Sequence, residues 1–267
     1  MSVSLQVLND IVMGSHESLL RGLVPDGVTN YLYNERHLKP ETVKLFEIGF
    51  CGIELEKVIN REYYEGVSGT SVIKADFLRD KIIVPIKDDC GKLVSIATRS
   101  IGGKQSGYSK PSWWNTPFQK GNYLFGLNFA RSKTFQENKL YLVEGYMDCC
   151  ILHQFGLYNV AATMGVKFTA IHAGLASRYC DRVCFCYDSD PSTNNGKPGA
   201  GQEAAIKALK KAKNFFKVTM IELPMKINSE TKQQENCDPD QFVLQNGLQK
   251  FLSLEGEREE TDSFCNP

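Results

Sequence analysis

Carboxylates recur at particular places in the second half of this chain. Glu144 follows the apolar run "LYLV", Asp188 and Asp190 follow "RVCFCY", and Asp238 and Asp240 lie beyond "KVTMIELP". One acid at the end of a strand is ordinarily a helix cap or a solvated loop residue. Several on one sheet edge are different, because clustered carboxylates repel unless a cation joins them. Asp188 and Asp190 are separated by one residue, so an extended strand points both to the same face. Oxygen ligands without His or Cys nearby suit a hard cation, Mg2+ or Mn2+. Such a site takes few protein ligands and leaves positions for water and phosphate oxygens.

The elements that must carry these acids alternate. "KLYLVEG" reads as a strand, "YMDCCILHQFG" as a helix ending at Gly156, and "YNVAATMG" as a strand. "TAIHAGLASRYC" reads as a helix and "RVCFCYD" as a strand. "GQEAAIKALKKAKNFF" follows as an amphipathic helix, "KVTMIELP" as a strand and "DPDQFVLQNGLQKFL" as the last helix. Strands alternating with helices predict an α/β, doubly wound parallel sheet, whose ligands bind outside the carboxyl ends of the strands. Ahead of it, the segment to about Gly69 reads as mainly helical. "KPETVKLFEIGF" has Pro40 near a helix start and Gly49 as a stop. "DKIIVPIKDDCGKLVSIATRS" reads as a hairpin, with Gly91 placed for a positive φ. The expected divisions are 1–138, 139–250 and an acidic tail over 251–267, whose last stretch "EGEREETDSFCNP" reads as a frayed end.

Composition narrows the function classes. The chain has 267 residues, 42% of them hydrophobic, enough for a substantial core in one large or two modest domains. Nine cysteines, an odd number in scattered positions, argue against a closed disulfide set and for a reducing, cytoplasmic compartment. "CDRVCFC" has no second pair to make a zinc site, and Cys149 and Cys150 read as helix core. His153 and His172 lack acidic or thiol partners at ligand spacing and read as structural. No apolar run reaches membrane-span length, and the N-terminus has the charge pattern of neither a signal nor a transit peptide.

The net charge of zero hides a local field. Between Asp89 and Glu137 there is no acid, yet Lys92, Arg99, Lys104, Lys110, Lys120, Arg131 and Lys133 all fall there. Trp113, Trp114, Tyr108 and Tyr123 lie in the same window. Basic residues interleaved with aromatics suit a single strand of nucleic acid, with charges following phosphates and rings stacking on bases. The competing reading is a solvated basic loop over aromatic core residues.

These stretches resemble the DnaG-type bacterial and phage primases. "VEGYMD" (Val143–Asp148), "YDSD" (Tyr187–Asp190) and "DPDQFV" (Asp238–Val243) look like the acidic motifs of the TOPRIM fold as primases carry it. "FLRDKIIVPIKDDCGKLVSIATRSIGG" and "YSKPSWWNTPFQKGNYLFGL" resemble that family's basic motifs in order and spacing. The resemblance covers roughly Tyr31 to Gly247. It implies a TOPRIM doubly wound sheet preceded by a smaller mixed α/β primase subdomain. The implied activity is DNA-templated synthesis of short RNA primers from nucleoside triphosphates, with Mg2+ or Mn2+ and no zinc. Glu144, Asp188 and Asp190 would be catalytic. Asp238 and Asp240 would join them in holding metal, with Asp148 as a water ligand or a group that holds the loop. Arg79, Arg99, Lys110 and Lys120 match the family's basic positions, while Lys81 stands where a second Arg is frequent. Implied partners are a single-stranded DNA template and a replicative helicase or separate zinc-module protein, without a membrane. The implied location is bacterial cytoplasm, that of an infected host included.

The pattern departs from the family in three respects. No Cys/His ligand set precedes Tyr31, the loop "PSTNNGKPG" after Asp190 is longer than usual, and little chain follows Asn246. The loop is expected to be an insertion, although Lys197 within it could touch phosphate or a partner. These departures lead to the expectation of a bare catalytic core, from a phage or mobile element or cut from a longer chain. Two rival readings stay open: a TOPRIM nuclease with water as nucleophile, and a non-catalytic replisome or nucleic-acid-binding scaffold.

Overall fold

The computed structural model describes residues 5–52, 78–101, 113–186, 212–227, 234–235 and 237–256. Residues 201–211 of the helix expected over 201–216 and the expected insertion over 191–199 lie outside them, as do Lys110, Asp188 and Asp190. The chain divides into two compact units, Met1–Phe118 and Gln119–Pro267.

In the first unit, α1 (Leu5–Leu20) buries Leu8, Ile11, Val12, Ser15 and Leu19, a stripe at helical spacing. Two short helical segments follow, α2 (Asp26–Thr29) and α3 (Pro40–Leu45), joined through a wide π-helical turn at Asn30–Glu35. Gly49 is not the helix stop that the sequence suggested. The chain turns at Glu47, whose φ is 52°, and Gly49 opens strand β1 (Gly49–Cys51). A side chain at Gly49 would meet the backbone of α1: an ideal Cβ lies 2.5 Å from His16 N and 2.7 Å from Ser15 Cβ. The His16 Nδ1 to Ile48 O hydrogen bond, 2.8 Å, pins the same junction.

The hairpin stands as expected. Strands β2 (Lys81–Lys87) and β3 (Leu93–Ser100) pair antiparallel, and Gly91 takes φ 91° in the turn. Asp88 Oδ1 accepts from the backbone N–H groups of Cys90 and Lys92, which closes that turn. Strand β4 (Trp113–Asn115) adds to β3, giving an antiparallel sheet of order β1-β2-β3-β4. Trp114 pairs with Thr98 and Trp113 with Arg99.

The second unit opens with α4 (Leu127–Glu137) and alternates β5 (Leu140–Val143), α5 (Tyr146–Gln154), β6 (Val160–Ala162), α6 (Ala170–Ala176), β7 (Arg182–Phe185) and, after residues outside the described set, β8 (Lys217–Ile221). Strands β5 to β8 are mutually parallel where they pair, as the alternation predicted. The short pair β9 (Lys226–Ile227) and β10 (Gln234–Glu235) stands apart as a two-stranded ribbon. The last helix divides at Gly247, whose φ is 79°, into α7 (Pro239–Asn246) and α8 (Leu248–Leu252).

Strand β11 (Glu255–Gly256) then returns antiparallel beside β8, so the sheet order is β11-β8-β7-β5-β6. Phe251 and Glu255, in the stretch read from sequence as an acidic tail, are therefore part of this unit. Glu255 accepts hydrogen bonds from Lys139, Tyr141 and Thr219. At the opposite edge, Phe125 exchanges two backbone hydrogen bonds of 2.9 Å with Ala162 of β6. One face of the sheet packs Leu140, Leu142, Val183, Phe185 and Met220 with Phe168 and Phe216 in an apolar cluster. Among the described residues no helix is long and apolar enough to cross a membrane.

Candidate active site

Strand β5 is buried along its whole length, and Glu144 is the next residue, half-buried at the strand's carboxyl end. Gly145 then turns the chain into α5. Asp148 sits in the first turn of that helix, where the positive end of the helix dipole favours an acid. Its carboxylate is buried, and each oxygen has a backbone partner: Oδ2 accepts from Gly145 N at 3.1 Å, and Oδ1 from Asp240 N at 3.1 Å. Asp148 thus ties the end of β5 to the start of α7. Asp238 occupies the N-cap position of that helix, Pro239 is its first residue, and Asp240 lies buried in its first turn.

The electrostatics follow from this packing. Burial raises the Asp148 pKa well above the usual carboxylate range, and the negative charges of Asp240 and Asp238 push it the same way. The two N–H donors oppose the shift only in part. The structure therefore gathers Asp148, Asp238 and Asp240, and covalent continuity places Glu144 next to Gly145 at the same strand end. Strand β7 runs alongside, with Cys186 N donating to Leu142 O at 2.8 Å. Asp188 and Asp190 follow Cys186 in sequence but lie outside the described residues.

Gly145 carries a testable consequence. An added Cβ would stand 2.6 Å from Asp148 Oδ2. Gly145→Ala is expected to push the Asp148 carboxyl off its N–H partners, a loss of about 1–3 kcal/mol for leaving buried polar groups unpaired. Urea unfolding of Gly145→Ala, Asp148→Ala and the double variant checks this. Strong non-additivity is expected, because both changes break one interaction.

Lys120 reaches the same edge from another direction. Its Nζ donates to Met164 O at 3.4 Å, and the neighbouring Gly165 N donates to Glu144 O at 3.1 Å. The Lys120 backbone is held from α6: His172 Nε2 bonds Lys120 O at 3.3 Å, and Thr169 Oγ1 donates to Gly121 O at 2.7 Å. Sequence reasoning named His172 only as structural, and its task here is to fix the loop that presents Lys120. Burial lowers the pKa of His172, and of Lys120 as well. His153 packs against the Tyr158 ring at 5.1 Å, and burial takes its pKa down to about 4, so it is a neutral core residue. Cys149, Cys150, Cys184 and Cys186 are all buried, as the core reading required.

The other basic candidates belong to the first unit. Arg79 is exposed at the turn before β2. The Arg99 guanidinium lies over the rings of Trp113 and Tyr31, at 5.4 and 5.5 Å from their centroids. Trp114 is 41% exposed, open enough to offer a ring face.

The donor set of the sheet edge fits a hard divalent cation. It consists of carboxylates, and the repulsion from Asp240 and Asp238, which adds to burial in raising Asp148, is what a cation relieves. Among the described residues, the group of three whose ligand atoms lie within 4.8 Å of one another is Asp88, Asp89 and Cys90 in the hairpin turn. That group reflects turn geometry, since Asp88 already closes the turn through Oδ1.

Two family descriptions match the chain in succession. "DNA primase catalytic core, N-terminal domain" matches residues 16–131, and "Toprim-like" matches residues 141–242. This chain belongs to the DnaG-type primase family. The DNA primase of Clostridium acetobutylicum is 29% identical over 250 residues, covering 88% of this chain and 38% of the relative. The chain thus spans 38% of that relative's length. The crystal structure of the Aquifex aeolicus primase, zinc-binding and RNA polymerase domains, aligns at TM-score 0.74 and 26% identity, covering 96% of this chain and 63% of the other. A DnaG primase catalytic domain bound to single-stranded DNA aligns at TM-score 0.67 and 25% identity, over 93% of this chain and 79% of that one. The fold is thus that of a DnaG catalytic core, mixed α/β with a TOPRIM parallel sheet, and the family uses divalent metal.

Proposed function

We propose that the chain is the catalytic core of a DNA primase, which joins nucleoside triphosphates into short RNA primers along a single-stranded DNA template. The observation that carries this reading is the succession of a primase N-terminal core domain and a Toprim-like domain in one chain. In this reaction a 3′-hydroxyl attacks the α-phosphorus of the incoming nucleotide and pyrophosphate leaves. Asp188, Asp190, Asp238 and Asp240 would hold Mg2+ or Mn2+, without zinc. The bound cation supplies charge neutralisation at the attacking and leaving oxygens.

The chain's own groups do the rest. Glu144, at the strand end, serves as a ligand or takes the hydroxyl proton. Lys120 offers its charge to the triphosphate, and its half-buried, loop-fixed position means little side-chain freedom is lost on binding. Asp148 acts as the group that holds β5 and α7 in register, since both its oxygens already accept N–H bonds. Arg79, Arg99 and Lys110 follow template or nucleotide phosphates, and Trp113 and Trp114 stack on bases. A replicative helicase or a separate zinc-module protein is the partner proposed to bring the core to its template. The site of action proposed is bacterial cytoplasm, with a phage or mobile-element origin.

The test is synthesis on single-stranded DNA with labelled NTPs or dNTPs and Mg2+ or Mn2+. Short oligomers made from NTPs are expected. Cleavage of the template would instead make this a nuclease, and no product of either kind would favour a scaffold. A second expectation concerns stability. Mg2+ or Mn2+ should raise the melting temperature, by an amount equivalent to about 2.7 kcal/mol at a hundredfold excess over Kd, and Asp188→Asn should remove the rise. Differential scanning fluorimetry reads both.

A further inference from the structure

The segment that leaves β6 breaks a local rule. Thr163, Met164, Gly165 and Val166 form a tight turn, closed by Val166 N donating to Thr163 O at 3.3 Å. Both central residues have a positive φ, Met164 at 61° and Gly165 at 73°. That is the pattern of a type I′ turn, whose first central position favours Asn, Asp or Gly. Methionine lacks their ease in the left-handed region. Its side chain is buried, at 3% exposure, so packing holds the residue where its backbone preference would not. Conformations of this kind persist only where the surroundings over-determine them, and they cluster at functional sites.

The turn is bonded to the strand end that carries Glu144. Thr163 N donates to Val143 O at 3.0 Å, and Thr163 Oγ1 donates to the same oxygen at 3.4 Å. Gly165 N donates to Glu144 O at 3.1 Å. A rigid, planar peptide unit lies on each side of the Glu144 Cα, and φ and ψ are the soft angles between them. Val143 O belongs to the unit before Glu144, and Glu144 O to the unit after it. Holding both units fixes φ and ψ of residue 144, and with them the direction in which its side chain leaves the backbone. The bond from Gly145 N to Asp148 Oδ2, 3.1 Å, steadies the second unit from its other end. Lys120 Nζ touches the turn more loosely, at 3.4 Å from Met164 O.

We propose that Met164 and Gly165 are positioning residues, whose left-handed turn aims Glu144 at the reacting atoms. The inference rests on the reading of the chain as a primase core in which Glu144 takes part in the chemistry. A turn that relaxed toward ordinary dihedrals would draw the Gly165 N–H off Glu144 O and let that carboxylate swing. Misplacing a reacting group by about 1 Å costs about a hundredfold in rate.

The experiment measures kcat and the KM for NTPs in oligomer synthesis on single-stranded DNA, with the full chain and two matched pairs of variants. An added Cβ at Gly165 meets nothing within 4 Å, so substitutions there test the dihedral and not the space. Gly165→Ala is expected to lower kcat about tenfold with KM within about threefold, and Gly165→Asn, which accepts the left-handed region, should recover most of the loss. At residue 164 the volume is kept. Met164→Ile is expected to lower kcat about tenfold, because a β-branched residue resists a positive φ, while Met164→Leu stays near the wild type. Circular dichroism melts set the assay temperature below the transition of every variant, so that loss of folded protein is not read as loss of rate. Equal losses in Gly165→Ala and Gly165→Asn would trace to the added side chain and overturn the proposal. So would an unchanged kcat in Gly165→Ala and Met164→Ile, or a loss carried by KM alone. A wild type that makes no oligomers would instead overturn the primase reading, and the proposal with it.

Discussion

Glu144→Gln is expected to cut oligomer synthesis by about a hundredfold to a thousandfold or more, and Asp188→Asn by at least as much, while both variants stay folded. The reasoning starts from charge. Glu144 stands at the carboxyl end of a wholly buried strand, beside a helix start that already gathers Asp148, Asp238 and Asp240. Gln has nearly the same shape but neither holds a cation through a negative oxygen nor accepts a proton at neutral pH. Removing one charge from a repelling set does not harm the fold, so the melting temperature without metal should stay level or rise. Single-turnover synthesis alongside metal-free melts separates the two effects. Activity near the wild type in Glu144→Gln would remove Glu144 from the chemistry.

The largest effect on stability is expected at Gly49. Overpacking a rigid interior costs about 1–3 kcal/mol when side chains can yield, and more when they cannot. Here the obstacle is backbone: a Cβ at residue 49 would lie 2.5 Å from His16 N, with the Ser15 carbonyl carbon equally close by. Helix α1 would have to move off β1, giving up the His16 to Ile48 bond and the burial of Leu8, Ile11 and Val12. Gly49→Ala is therefore expected to cost about 3 kcal/mol or more in urea unfolding. Gly27→Ala is the matched control, since a Cβ there meets nothing within 4 Å, and it should change stability by less than about 0.5 kcal/mol.

Much of the second unit was legible because its signals are local. Short apolar runs ended by acids, and helices ended by glycine, specify an alternating parallel sheet without reference to distant residues. The hairpin of the first unit was legible for the same reason, through Gly91 and two β-branched runs. What escaped depends on contacts between distant segments. Gly49 reads like any helix-terminating glycine, and only the approach of α1 from more than thirty residues away explains it. Tyr31 and Arg36 sit in a polar helical stretch, and no periodicity announces a π register. Asp148 was legible as an acid of the site, but one of the two donors on its carboxylate is Asp240 N, 92 residues away, which local spacing does not encode. Glu255 looked like one more charge in an acidic end, and its pairing with Lys139 spans 116 residues.

Glu255 and Phe125 have a joint consequence. A parallel sheet of four strands has two flanks with unsatisfied amide and carbonyl groups, each an invitation to another chain. Here β11 lies against β8 at one flank, and the Phe125 exchange blunts β6 at the other. Both closures run antiparallel and come from outside the alternating pattern. A shortened form ending before Glu255 would bare the β8 flank and leave the polar groups of Lys139, Tyr141 and Thr219 without their common acceptor. Its hazard would be self-association by strand addition, so a minimal piece of this unit has to extend through Gly256.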